Sequence, residues 1–137
     1  MKLYNGLLEI DPLESVEWID YGTTPTPLVT TTGNVGNTQG WLVRVLQGTA
    51  TWSSTPPTPG VSDFSFSYND GSGAVTVFVD KDTQIDMRGY TSPMSFRLTG
   101  FSGNYNSPQI MPRYQSDIVD LSAPSVTATN PADGAMD

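Results

Sequence analysis

The sequence predicts an all-β protein: an antiparallel β-sandwich or small barrel with extended terminal arms. Three observations lead there. Bulk polarity comes from Thr, Ser, Asn, Gly and Pro, because only 15% of residues are charged, and that mixture favours strands and turns over helices. Asp63-Phe64-Ser65-Phe66-Ser67-Tyr68 alternates polar with aromatic at period two, the mark of a half-buried strand. Turn residues recur roughly every ten positions with no helical repeat between them, which suits about seven to nine short strands rather than an α/β scheme.

Taken in order, the first segment carries two short apolar runs, Leu7 to Ile10 and Val16 to Ile19, separated by Asp11-Pro12. The proline opposes a continuous helix, so two strands, or a strand and a turn, are expected. Thr23-Thr24-Pro25-Thr26-Pro27 is extended and poor in ladder donors, which places it at a sheet edge or in a crossing, with a short strand from Leu28 to Thr32. After the loop Gly33 to Asn37, the most apolar run of the chain, Trp41 to Leu46, is the best candidate for a central strand. Thr49 to Trp52 continues it past Gly48 as a bulge or a second strand, and the prolines between Ser53 and Gly60 mark a surface loop. The alternating strand Phe64 to Tyr68, the turn Asn69-Asp70-Gly71-Ser72-Gly73 and the β-branched run Ala74 to Val79 form a hairpin. Further alternation predicts strands over Gln84 to Tyr90 and Ser95 to Phe101. Ser102 to Pro112 reads as loop, Ile118 to Leu121 as a last short apolar run, and Ser122 to Asp137 as a tail with too little apolar surface to order itself.

With 137 residues, the chain is sized for one domain. A single β domain is expected over 1–121, with residues 1–21 as an N-terminal arm and 122–137 as an extended C-terminal tail. The beginning of the chain shows no secretory leader pattern and no run is long and apolar enough to span a membrane, so synthesis in a cytoplasm is expected.

Composition narrows function. Fourteen acidic residues against six basic ones give a net charge of −8, which repels phosphate backbones and anionic headgroups. Neither nucleic acid nor a membrane is therefore an expected partner. Cysteine and histidine are both absent, which rules out thiol nucleophiles, disulfides, and Ser-His-Asp or His-metal chemistry. The glycine-containing turns lack the Gly-Lys-Ser/Thr of a phosphate loop. No enzyme activity and no cofactor is expected.

Three constellations remain. Glu9, Asp11, Glu14, Glu17 and Asp20 cluster without a basic residue among them and could supply a glycosidase-like carboxylate pair; the plainer reading is a solvated acidic face. Asp80, Asp82 and Asp86 leave a strand together and are the candidate ligands for a hard cation such as calcium, though the glycine and glutamate of a calcium loop are missing and turn chemistry explains the same residues. Trp18, Trp41 and Trp52 with six tyrosines could form a sugar-stacking platform. Among them Trp41, leading the apolar run, is expected in the core, and Trp52, bordering a Ser/Thr/Pro loop, at the surface.

Absence of Cys and His, Thr/Ser/Gly/Pro-rich short strands, acidic charge and arm-like segments at Met1 to Tyr21 and Ser122 to Asp137 together make the chain resemble the small auxiliary structural proteins of tailed-phage virions. The resemblance is one of composition and layout over the whole chain. It implies a non-enzymatic virion component, such as a capsid decoration, minor head or tail protein. The implied partners are other virion proteins, either copies of itself or a major capsid or tail protein, bound through arms and edge strands. The alternative is a carbohydrate-binding or adhesion β-sandwich module.

Overall fold

Alternating side chains build the wall of a barrel. In a computed structural model, which describes residues 2–9, 17 and 19–121, the strands are β1 (Lys2–Tyr4), β2 (Leu7–Glu9), β3 (Leu28–Val29), β4 (Leu42–Thr51), β5 (Phe64–Asn69), β6 (Val75–Val79), β7 (Met94–Asn104), β8 (Pro108–Met111) and β9 (Ile118–Asp120). Short 3-10 turns occupy Thr32–Asn37, Lys81–Thr83 and Gln115–Asp117. Phe64, Phe66 and Tyr68 of β5 and Val75, Val77 and Val79 of β6 all point inward and are buried, as their period-two spacing dictates.

β4, β5 and β6 follow one another as antiparallel neighbours, and β7 returns by a long connection to pair with β4, which is a Greek-key arrangement. β8 then lies between β6 and β7 and closes the ring. The result is a five-stranded Greek-key barrel, the architecture of the OB class, rather than a sandwich. β3 and β9 are added on the outside, against β4 and β7. Two pairings, β3 with β4 and β6 with β8, are parallel, a departure from the purely antiparallel expectation.

One strand serves both sides of the barrel because it bends. The register of β4 against β7 slips between Val45 and Gly48, and such a bulge sharpens the local twist. Gly48 is required there: a Cβ would stand 2.7 Å from Cζ of Tyr68. The Tyr68 ring passes over the glycine and its hydroxyl donates to the carbonyl of Phe96 at 2.7 Å. Around it Val43, Val45, Phe66, Val77, Phe96, Leu98 and Ile110 form the core.

Several expectations are corrected. Gln84 to Tyr90 is not a strand. Gln84 adopts a left-handed conformation, and the Asp86 N–H donates to Gln115 while the Arg88 N–H donates to Asp86, so those donors have no ladder to join. Its alternation was real as burial, since Ile85 and Met87 are inside. Ser102 to Pro112 is not a loop: β7 runs to Asn104 and β8 begins at Pro108. Gly100, within the expected strand, permits close approach to β8, because a Cβ would lie 2.5 Å from the Met111 carbonyl oxygen. The two tryptophans exchange roles. Trp52 keeps the inward parity of Ala50 and packs on Phe64, Phe66 and Phe96 with ring centroids 5.6 to 6.5 Å away. Trp41 lies in a bend after left-handed Gly40, before the strand proper, and is 59% exposed. The expected strand from Val16, the candidate Trp18 and the tail 122–137 lie outside the described residues.

Candidate assembly surfaces

The N-terminal hairpin is built by Asn5-Gly6, whose positive φ values of 49° and 88° suit a two-residue turn between β1 and β2. It rests on the turn between β7 and β8. The Asn106 N–H donates to the Asn5 carbonyl at 2.8 Å, the Gln39 side-chain amide donates to the Gly6 carbonyl at 3.2 Å, and the rings of Tyr4 and Tyr105 stand 6.4 Å apart. Beneath Gly6, Oδ1 of Asn104 is buried without a hydrogen-bond partner, a cost of about 1–3 kcal/mol against this docking. Leu3 and Tyr4 remain exposed.

A second peripheral element follows. Ile19 and Tyr21 are 89% and 86% exposed, and the chain then runs over the surface through Pro25 and Thr26 to β3, where Leu28 and Val29 are exposed too. β3 pairs with β4 through Leu28 to Val43 and Val29 to Arg44, supplemented by the Thr30 N–H donating to the Arg44 carbonyl. A cleft of about 310 Å³ is lined by Pro25, Thr26, Trp41, Leu42 and Phe101. Beside it the Arg113 guanidinium lies 5.9 Å from the Phe101 ring centroid and 5.1 Å from that of Tyr114. Asp117 holds that guanidinium in a forked pair. Burial raises the Asp117 carboxyl, but hydrogen bonds from Arg113 outweigh it and the net direction is down.

Firm anchoring begins at Thr32. Its N–H and hydroxyl both donate to Asp70, and Ser72 adds its own N–H and hydroxyl to the same carboxylate. Burial pushes that carboxyl up, yet these four donors hold it at about 2. Burial also raises the Tyr68 phenol, helped by the Asp70 charge.

The carboxylates Asp80, Asp82 and Asp86 have separate tasks. Asp80 caps the Lys81–Thr83 turn by accepting from the Asp82 N–H at 2.8 Å, Asp82 faces the Lys81 ammonium at 3.7 Å, and Asp86 forms a fork with Arg88 that holds its carboxyl at about 2. Among the described residues no group of three or more acidic side chains is placed to hold a metal ion. Of the acidic cluster near the N-terminus, Glu17 and Asp20 are exposed, while Asp11 and Glu14 lie outside the described residues, as does the side chain of Glu9.

A polar groove of about 770 Å³ crosses the outer face of β4 and β5, lined by Gln47, Thr49, Thr51, Ser67, Asn69 and Ser95. Hydroxyls offer donors and acceptors here but no ring face for stacking, and the aromatics near Trp52 face the core. The exposed aromatics Trp41, Phe101 and Tyr114 lie elsewhere; Trp41 and Tyr114 belong to the aromatic set singled out in the sequence, and Phe101 does not. No protein-family model and no curated protein matches this chain.

Proposed function

We propose that this chain is a non-enzymatic assembly subunit that binds neighbouring subunits through its N-terminal arm and the edge strands β3 and β9. One observation carries the reading. Leu3 and Tyr4 on the N-terminal hairpin, and Ile19, Leu28 and Val29 on the segment that leads into β3, are exposed apolar side chains, and covering them with a neighbour would remove apolar surface from water. Edge strands offer a neighbour main-chain hydrogen bonds, and exposed apolar side chains give the pairing its driving force. The setting we infer is a viral particle, on the strength of the likeness in composition and layout to small auxiliary proteins of tailed-phage virions. The partners would then be copies of itself or a major capsid or tail protein.

Light scattering over a concentration series tests self-association. The full chain is expected to gain mass with concentration, and a variant lacking residues 1–21 to do so more weakly. A full chain that is monomeric throughout, and that fails to bind purified capsid or tail protein, would refute the reading. The alternative of a carbohydrate-binding module draws on the hydroxyl-lined groove over β4 and β5. It predicts saturable glycan binding that Thr49→Val and Ser67→Ala remove.

A further inference from the structure

We infer that the outer face of β4 and β7 around Leu46 is a docking surface for residues 17–20 of a second copy of this chain. The inference rests on the assembly reading and adds to it which surface meets which segment.

The bulge in β4 makes the surface. Val45 pairs with Leu98 and Gly48 with Phe96, so Leu46 and Gln47 together stand opposite Arg97 alone. A bulge of this two-against-one kind re-aims side chains, and here Leu46 and Gln47 both point to solvent, Leu46 at 57% exposure. Arg44 lies two residues before Leu46, on the same side of the strand. Val29 of β3 pairs with Arg44 and adds a second exposed apolar side chain. An apolar pair, Leu46 and Val29, is thereby set beside two guanidiniums.

Those guanidiniums lack what other cations of the chain have. Lys81, Arg88 and Arg113 each face an aspartate. Among the described residues no carboxylate faces Arg44 or Arg97. Arg44 donates through Nε to the Thr99 hydroxyl, a neutral acceptor that leaves its charge uncompensated. In a chain of net charge −8, two neighbouring cations without a carboxylate reverse the local sign and draw acidic groups.

Residues 17–20 carry the complementary pattern. Ile19 is exposed, and Glu17 and Asp20 on either side of it are exposed too. The Asp20 carboxylate accepts from the adjacent Tyr21 N–H at 2.7 Å, and neither acid meets an arginine of its own chain. Asp70, Asp86 and Asp117, by contrast, are already held by donors of their own chain. Ile19 laid on Leu46 and Val29 removes apolar surface from water, while the two carboxylates offer acceptors to the forked guanidinium donors. Glu17 and Asp20 stand at most about 10 Å apart along the chain, and Arg44 and Arg97, diagonal neighbours across the ladder, roughly 7–8 Å, so one segment can meet both.

Charge exchange tests the contact. Light scattering over a concentration series follows the full-length chain, Arg97→Glu, the double variant Glu17→Lys with Asp20→Lys, and an equimolar mixture of the two variants. Each variant alone sets like charges against each other, and its self-association is expected to weaken by about tenfold or more. The mixture offers the native acidic segment of one chain to the native arginine pair of the other and is expected to regain association as a mixed complex. Raising sodium chloride from about 0.05 to about 0.5 M is expected to weaken association of the native chain, because exposed charge pairs are screened. Should a variant fail to fold, this salt series decides. If the native chain assembles but neither salt nor substitution changes its mass, the contact is wrong while the assembly reading survives. A mixture that stays dissociated where each variant weakened also overturns the contact, since the two sets of charges then act through different surfaces. A native chain that never gains mass overturns both.

Discussion

Gly48→Ala puts a methyl group where the barrel closes. The added Cβ would lie 2.7 Å from Cζ, 2.9 Å from Cε2 and 3.0 Å from the hydroxyl oxygen of Tyr68. Carbon atoms in contact prefer about 3.5–4.0 Å, so the ring must retreat by roughly 0.5–1 Å. Tyr68 is fully buried, and overpacking of that kind costs about 1–3 kcal/mol. Retreat also pulls the hydroxyl from the Phe96 carbonyl, now 2.7 Å away, stranding two buried polar groups at about 1–3 kcal/mol. The expected loss is about 3–5 kcal/mol out of a total near 5–15 kcal/mol. Equilibrium urea unfolding measures it as a fall in midpoint at constant slope. Tyr68→Phe alone removes only the bond and is expected to cost about 1–2 kcal/mol. The double variant then costs less than the sum, since the bond is lost once. A Gly48→Ala loss below about 1 kcal/mol would show that the tyrosine is not held against the glycine, and the account of barrel closure would fall.

Other outcomes follow from the same contacts. Asp70→Ala removes an acceptor shared by Thr32 and Ser72 and should lower stability by about 2 kcal/mol by urea titration. Because the folded carboxyl sits at about 2, below its ordinary 3.8, the unfolded chain takes up the proton first. Its contribution, about 1 kcal/mol after solvent screening, is complete above pH 4 to 5 and is lost as pH falls towards 2. Asp117 adds to stability with the same sign, and Asp70→Asn should flatten the Asp70 share of an acid melting series. Trp52→Ala should cost about 3 kcal/mol and Trp41→Ala less than about 1 kcal/mol; the reverse order in thermal melts would contradict their placement. Gly100→Ala, whose Cβ would strike the Met111 backbone, should prevent β7 and β8 from pairing and leave no cooperative transition.

Local pattern was legible where one strand's burial decides its own side chains. Phe64, Phe66 and Tyr68 announce their face, and the turn after Asn69 announces the hairpin to β6. The kink at Gly48 was also readable, as a glycine between the most apolar run and its continuation from Thr49 to Trp52. What a chain-local reading misses is partnership. Ile85 and Met87 alternate as a strand would, yet no ladder lies beside them. Gly103 and Pro108 fall in the stretch that reads as loop, yet glycine is what lets β7 approach β8, and a proline at the head of a strand has no ladder bond to lose. The Asn5-Gly6 hairpin carried a turn signal that the adjoining Asp11-Pro12 overshadowed. For the candidate surface, Pro25 and Pro27 pointed to an edge segment. The cleft, by contrast, depends on Pro25 and Thr26 meeting Trp41 and Phe101, residues far apart in the chain that the pairing of β4 with β7 brings side by side.

The pairing of β4 with β7 also orders events in time. Leu42 meets Phe101 and Ala50 meets Met94, so sealing the ring closes a loop of on the order of fifty residues, at an entropic cost of several kcal/mol before any contact repays it. The β5–β6 hairpin, whose partners are near neighbours in the chain, can form within microseconds, and ring closure must wait for β7. As a chain leaves the ribosome, β4 therefore exists for seconds with one flank open. A neighbour's strand arriving in that interval meets an unpaired row of amides. Rapid completion of β7 to β9 is thus the chain's protection against mispairing, and slowing translation between β6 and β7 should raise the misassembled fraction.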